Sequence, residues 1–301
     1  MNDCIIIGAG PAGLTAAIYL ARFHLSIRLL DNGSSRAATI PRTRNHAGFP
    51  DGIPGRDLLG LMQAQAEQYG AVVEMVEATA IARDGENFVV STTNGRLPAC
   101  TVLLATGVVN NRPAMPDDLH DEALARGLIR YCPICDGYEV TDKRVGVIGD
   151  GAHGMREALF LRGYTRDLTL IAPSAALTLD PSCCAALDDG GILRVDGPCR
   201  GFAIEGDRIV VDTPAGALHF DSIYPAMGSV IRSKLAVAAG ARATDEGCLE
   251  VDEHQRTSIP GLFAAGDVVR GLDQISHAMG EAGVAATAIR NLLADRHPIR
   301  R

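Results

Sequence analysis

Asp3-Cys4-Ile5-Ile6-Ile7-Gly8-Ala9-Gly10-Pro11-Ala12-Gly13-Leu14 lies at the head of the chain. A short apolar run that stops at a glycine reads as a buried strand from Asp3 to Ile7. Apolar side chains then recur on one helical face from Leu14 to Phe23, and a second strand, Ser26 to Leu30, ends at Asp31. Gly8, Gly10 and Gly13 therefore form a GxGxxG turn between strand and helix. Gly8 permits the tight turn, Gly10 lets backbone N–H groups approach a pyrophosphate, and Gly13 lets the helix lie close on the strand. Asp31 stands about twenty residues on, where an acidic side chain would hold a ribose hydroxyl.

The same pattern returns in mid-chain. Arg144 to Ile148 reads as a strand, Gly149-Asp150-Gly151-Ala152-His153-Gly154 as a turn, Met155 to Arg162 as a helix and Leu168 to Ile171 as a strand. Two such starts in 301 residues predict an α/β protein of two Rossmann-like, doubly wound units. Between them Val102 to Gly107 is a buried strand running into a glycine, followed by a linker around Pro113 and Pro116. Ile259 to Asp267 is another strand–glycine–aspartate element, with a small-residue helix from about Gly280 to Leu293 after it.

Net charge is −8, which argues against a nucleic-acid partner, and no apolar run approaches the roughly 20 residues that span a bilayer. With no basic, apolar leader pattern at Met1, the expectation is a cytoplasmic protein without a membrane partner.

Eight cysteines in a chain of this length do not form a disulfide framework, and Cys183 and Cys184, as neighbours, point apart. Cys132 and Cys135 alone have CxxC spacing. Such a pair is half a zinc site, a redox dithiol, or chance. Zinc needs two more ligands at short spacing, and the other cysteines and histidines are scattered. A redox dithiol needs a proton source or sink, because exchange runs through the thiolate; Asp136, directly after the pair, would serve if burial raises its pKa.

In order along the chain, the Gly8 motif, Asn45-His46-Ala47-Gly48-Phe49-Pro50, Ala105-Thr106-Gly107, Cys132-Pro133-Ile134-Cys135-Asp136-Gly137-Tyr138-Glu139, Gly266-Asp267 and Gln274 to Ala286 resemble the low-molecular-weight thioredoxin reductase family over essentially the whole length. The resemblance implies a glutathione-reductase-like architecture with the second domain inserted in the first: residues 1–111 and 229–301 for FAD, and 112–228 for an NAD(P)-binding-like domain carrying the CxxC. It implies a homodimer. Gly8, Gly10, Pro11, Ala12, Gly13, Asp31, Asn45, Thr106, Gly107, Gly266, Asp267 and Gln274 would hold FAD. Cys135 would face the flavin, Cys132 would exchange with a thioredoxin-like protein or a small dithiol or disulfide, and Asp136 would be the acid–base.

The second nucleotide site departs from that pattern. NADPH-using members end the strand after the second GxGxxG in His-Arg-Arg, whose guanidiniums grip the 2′-phosphate; here Ala172-Pro173-Ser174 stands there, with no basic residue between Asp167 and Arg194. Each lost charge-assisted contact costs on the order of 1.5–3 kcal/mol. Arg156 and Arg162 are the remaining local cations, and the intact Gly149/Gly151/Gly154 turn leaves room for an adenine nucleotide or second flavin. NADPH is therefore doubtful as the donor. Three readings stay open: a flavin disulfide reductase fed by ferredoxin or another non-NADPH donor, a dithiol oxidase passing electrons to oxygen, and a non-catalytic flavin redox sensor. Arg36, Arg42 and Arg44 either close over FAD phosphates or lie on a solvated loop, Asp273 replaces a family arginine, and His277 is placed near the flavin.

Overall fold

The computed structural model describes residues 1–296. The chain forms two compact units, one from Met1–Arg42, His46–Val109 and the stretch from Val230 onward, the other from Thr43–Asn45 and Asn110–Ser229.

In the first unit, parallel strands lie in the order Val73–Met75, Ile27–Asp31, Asn2–Ile7, Gly95–Leu104, with Leu262–Ala264 parallel beside the end of the last. Asn87–Thr92 and Ala78–Asp84 continue the sheet antiparallel from the other end of Gly95–Leu104. Successive side chains of a strand face opposite ways. Ile6, Leu29, Leu103 and Phe263 accordingly pack under the helices Pro11–Arg22 and Ile275–Arg296, while Ile5, Leu30, Leu104 and Leu262 fill a separate core on the other face. Burial on both faces is why the first strand reads as a continuous apolar run rather than an alternating one. Ala278, Ala282, Ala285 and Ala286 meet Ala12, Ala16 and Ala17, small against small, so the two helices lie close.

The helix Ile275–Arg296 begins before the expected Gly280. Gly280 is interior to it, and a Cβ there would meet nothing within 4 Å, so this glycine marks no helix end. The strand expected from Ile259 is confined to Leu262–Ala264.

The second unit has a parallel sheet ordered Leu193–Val195, Leu168–Ile171, Val145–Gly149, Ser222–Ala226. A three-stranded antiparallel sheet, Gly201–Glu205, Arg208–Thr213 and Gly216–Phe220, is added to it. The helix after the second glycine turn starts at Gly151, before the expected Met155, because Asp150 caps it directly. The crossing into this unit falls at Val109/Asn110, ahead of the prolines read as a linker; Pro116 instead starts the helix Asp117–Ala125. The α/β class with two Rossmann-like units stands. Among the described residues no helix is long and apolar enough to cross a membrane.

Candidate active site

The first glycine turn is built for close backbone approach. A Cβ on Gly8 (φ +105°) would lie 2.3 Å from the Ala105 carbonyl oxygen, and one on Gly13 would lie 1.7 Å from the Gly8 carbonyl oxygen. Pro11 occupies the first helical turn, where its missing N–H costs nothing, and Gly10 supplies no side-chain cap. The head of this helix is thus left without a side-chain anion, as a pyrophosphate site requires. Asp31 sits at the turn, its Oδ2 accepting from Ala9 N at 2.5 Å. Gly266 closes on Ala12, with 3.0 Å between a Cβ built on it and the Ala12 Cβ, and Asp267 is paired with Arg36 at 3.2 Å. Thr106 donates to the Arg232 carbonyl at 2.7 Å, and Gly107 accepts from Arg232 N at 3.0 Å.

The first unit therefore gathers Gly8, Gly10, Pro11, Ala12, Gly13, Asp31, Thr106, Gly107, Gly266 and Asp267 around one turn, and these residues fit an FAD. Gln274 lies at the start of the helix Ile275–Arg296, its carbonyl accepting from Ala278 N. Asn45 falls in the short segment grouped with the second unit, where its Oδ1 accepts from Thr43 Oγ1 at 3.1 Å.

The three loop arginines have distinct fates. Arg36 bridges Asp267 and Asp273, Arg42 donates to the Asp51 and Gly52 carbonyls, and Arg44 pairs with Glu139 at 3.4 Å. Burial pushes the Asp273 carboxyl up, with the Asp267 charge adding to it and Arg36 opposing. His277 lies 3.0 Å from Glu281 Oε1, one helical turn on, and Glu281 Oε2 accepts from Gly266 N at 2.7 Å. Glu281 thereby fixes Gly266 of the strand–glycine–aspartate element from inside the helix. Burial raises its pKa.

In the second unit Cys132 and Cys135 are joined in a disulfide. Cys132 caps the short helix Pro133–Asp136, and Cys135 N donates to both the carbonyl (2.9 Å) and the sulfur (3.2 Å) of Cys132. Asp136 follows, its side chain 24 % exposed. Oδ1 accepts from the Tyr224 hydroxyl at 2.8 Å and Oδ2 from Arg130 at 3.1 Å. Burial pushes the Asp136 carboxyl up; the Arg130 charge and the two hydrogen bonds pull it back, and Glu139 adds a smaller push upward. Glu157, on the helix Gly151–Leu161, is partly exposed, but its Oε1 is enclosed without a hydrogen-bond partner, and desolvation plus the Asp136 charge push its pKa up to about 7. Two carboxyls with raised pKa in one unit, one of them adjacent to the disulfide, form a proton-handling group of the kind exchange needs.

The second glycine turn differs from the first. Its cap, Asp150, turns its own carboxylate inward: Oδ1 accepts from Gly151 N at 2.7 Å and from Thr178 N at 2.6 Å. Arg162 is tied to the Gly190 carbonyl at 2.6 Å and Arg156 is exposed. Beside the turn lies a cavity of about 380 Å³ lined by Gly149, Asp150, His153, Pro173, Ala226, Met227 and Gly228. His153 stands 3.8 Å from Glu157 Oε2. Among the described residues no three His, Cys, Asp or Glu side chains are grouped to hold a metal, and Cys4, Cys100, Cys183, Cys184, Cys199 and Cys248 are free thiols.

A close-packed GxGxxG turn in one unit and a CxxC disulfide with a raised carboxyl in the other define a nucleotide-dependent disulfide oxidoreductase. The pyridine nucleotide-disulphide oxidoreductase family model matches residues 2–282, and the chain belongs to that family. It is similar to the thioredoxin reductase of Aquifex aeolicus, 29 % identical over 99 % of this chain and 95 % of the relative. The crystal structure of HlmI superposes with a TM-score of 0.88 at 30 % identity, covering 98 % of this chain and 93 % of that one. The thioredoxin reductase of Streptococcus pyogenes gives 0.89 at 26 % identity, covering 98 % and 99 %. The protein is a thioredoxin-reductase-like disulfide oxidoreductase of the glutathione-reductase-like fold, in a family of FAD flavoproteins.

Tyr224, Arg130, Glu157 and Glu281 are the site residues that sequence reading missed. Tyr224 lies 88 residues from Asp136 on a fully buried strand, and nothing in its neighbourhood marks it. Glu281 did carry a signal, its position one turn after His277 in a small-residue helix, which suits a carboxylate held inside.

Proposed function

We propose that the protein passes electrons between FAD and the Cys132–Cys135 couple, and between that couple and an external thiol or disulfide, without drawing on NADPH. The observation that carries the reading is the disulfide with Asp136 beside it; the NADPH-independent part is supported by the lack of any basic residue between Asp167 and Arg194. FAD, when bound, supplies a two-electron partner for the cysteine pair.

In the thiol-to-disulfide direction, a substrate thiolate attacks Cys132 Sγ. The Cys132–Cys135 bond breaks and Cys135 leaves with the electron pair. The second substrate thiol gives up its proton and attacks the mixed disulfide at the substrate sulfur, releasing Cys132 and a substrate disulfide. Asp136 is the group that accepts or returns the proton, its carboxyl pKa raised by burial and its side chain oriented by Tyr224 and Arg130. The reverse order of the same steps reduces a substrate disulfide. The substrate is a thioredoxin-like protein or a small dithiol, as the relatives' names support, and the family resemblance supports a cytoplasmic homodimer.

Without a pyridine nucleotide donor, the couple either takes electrons from dithiols and passes them through the flavin to oxygen, or receives them from ferredoxin or another donor; the first course is the one that titration tests. Anaerobic titration of the flavin-loaded protein with NADPH, NADH and dithiothreitol tests the reading at the flavin absorption band. Bleaching by dithiol alone, with recovery in air, is expected; rapid bleaching by NADPH would overturn it.

A further inference from the structure

We infer that Asp150 is a built-in stand-in for a phosphate: its carboxylate takes the first amide of the helix Gly151–Leu161 together with Thr178 N, sets a fixed negative charge at the second turn, and so excludes pyridine dinucleotides from it. The inference rests on the NADPH-independent reading above and assigns one residue to that independence.

A dinucleotide binds a GxGxxG turn by placing its pyrophosphate against free N–H groups at a helix N-terminus, where the dipole favours negative charge. In this chain the two turns form an internal comparison. At the first, the cap is Gly10, and no side chain bonds the head of the helix. At the second, the cap is Asp150, whose Oδ1 already receives Gly151 N and Thr178 N. An incoming pyrophosphate would meet a fixed negative charge where it needs a donor.

The loop that supplies Thr178 is held on its far side as well. Leu177 N donates to Asp196 Oδ1 at 2.9 Å, Cys199 N to the Pro173 carbonyl at 3.1 Å, and Gly197 N to the Ala175 carbonyl at 2.6 Å. Gly197 packs so closely that a Cβ on it would lie 2.4 Å from the Ala172 carbonyl oxygen. These contacts tie down the loop that supplies Thr178 N. A cavity of about 380 Å³ lies beside the turn. The exclusion is one of charge, with the first helix amide already bonded to Asp150.

The test is calorimetric titration of ADP, NADH and NADPH into the flavin-loaded protein and its Asp150→Gly and Asp150→Asn variants. Glycine is nearly as good a cap as aspartate, so Asp150→Gly is expected to fold. The wild type should bind none of the three measurably. Asp150→Gly should gain ADP and NADH affinity by at least about tenfold, the effect of restoring one or two hydrogen bonds to a charged group. Asp150→Asn, which removes the charge but keeps the amides engaged, should gain less. Neither should prefer NADPH to NADH, because no arginine is restored. Variants with native circular dichroism and flavin spectra but no gained ADP affinity would overturn the role of Asp150 while leaving the NADPH-independent reading intact. Should Asp150→Gly fail to fold, Asp150→Asn decides alone. Wild-type protein that binds NADPH tightly and is bleached by it would sink both.

Discussion

Asp136 is where several residues converge on one proton. Replacing it with Asn should slow thiol–disulfide exchange by about 10²–10⁴-fold, the usual contribution of a positioned acid–base, as read by stopped-flow with a dithiol. Its neighbours should move the pH profile in opposite directions. Tyr224 and Arg130 both favour the carboxylate, so Tyr224→Phe raises the Asp136 pKa further and shifts the limb of the rate profile to higher pH. Glu139→Gln removes a negative charge and shifts it to lower pH. Equal profiles in all three would mean that Asp136 does not titrate in the step. Cys135→Ser should retain the yellow flavin and abolish its bleaching by dithiols. Glu157 makes a separate claim on stability. With its pKa raised from 4.5 to about 7, the folded state holds a proton that the unfolded chain has released across that interval, so stability falls as pH rises through the window and the loss is complete above it. Glu157→Gln does not titrate, so its stability relative to wild type should rise between pH 4 and pH 8.5 by up to roughly 3 kcal/mol in denaturant melts. A gap that stays constant over that range would contradict burial of a titrating carboxyl. At this scale Cys132, Cys135 and Asp136 were legible because chemistry and adjacency coincide in five residues. Tyr224 and Arg130 were not, since each reaches Asp136 only through the folded sheet.

At the scale of elements, the two glycine turns show what spacing reveals and what it hides. Gly8, Gly10 and Gly13 were readable as a cradle because each answers a steric demand, and Gly13→Ala tests that demand. Its Cβ would have to displace the Gly8 carbonyl, backbone against backbone, so the strand and helix must separate. The expected outcome is loss of bound flavin and a destabilisation of about 3 kcal/mol or more, in the range of severe overpacking, measured by flavin content and thermal melting. Gly149, Gly151 and Gly154 satisfy the same regular pattern, and the pattern says nothing of Asp150 between them. Its partner Thr178 is 28 residues away in a loop without periodicity. The helix Ile275–Arg296 was misjudged at its start for a related reason: Gly280, taken as a boundary, needs no turn because open space surrounds it. The sheet Gly201–Phe220 went unread although Phe202, Ile204, Ile209 and Val211 alternate as strands do. No chemistry-bearing motif drew attention to it.

At the scale of the whole molecule, repetition made the two-unit architecture readable, whereas the grouping of Thr43–Asn45 with the second unit was not, because three polar residues carry no pattern of their own. Each unit has its own cores: Ile6, Leu103 and Phe263, or Ile5 and Leu104, in the first; Val147, Leu170 and Tyr224, or Ile148 and Phe220, in the second. A ligand that binds only one folded unit stabilises that unit by mass action, about 2.7 kcal/mol when present at 100 times its dissociation constant. FAD supplied in such excess to the deflavinated protein should therefore slow amide exchange in the strands Asn2–Ile7 and Gly95–Leu104 by about a hundredfold. Exchange in Val145–Gly149 and Ser222–Ala226 should change far less. Equal protection of both sheets would show that the units unfold together and that the flavin stabilises the chain as one cooperative body.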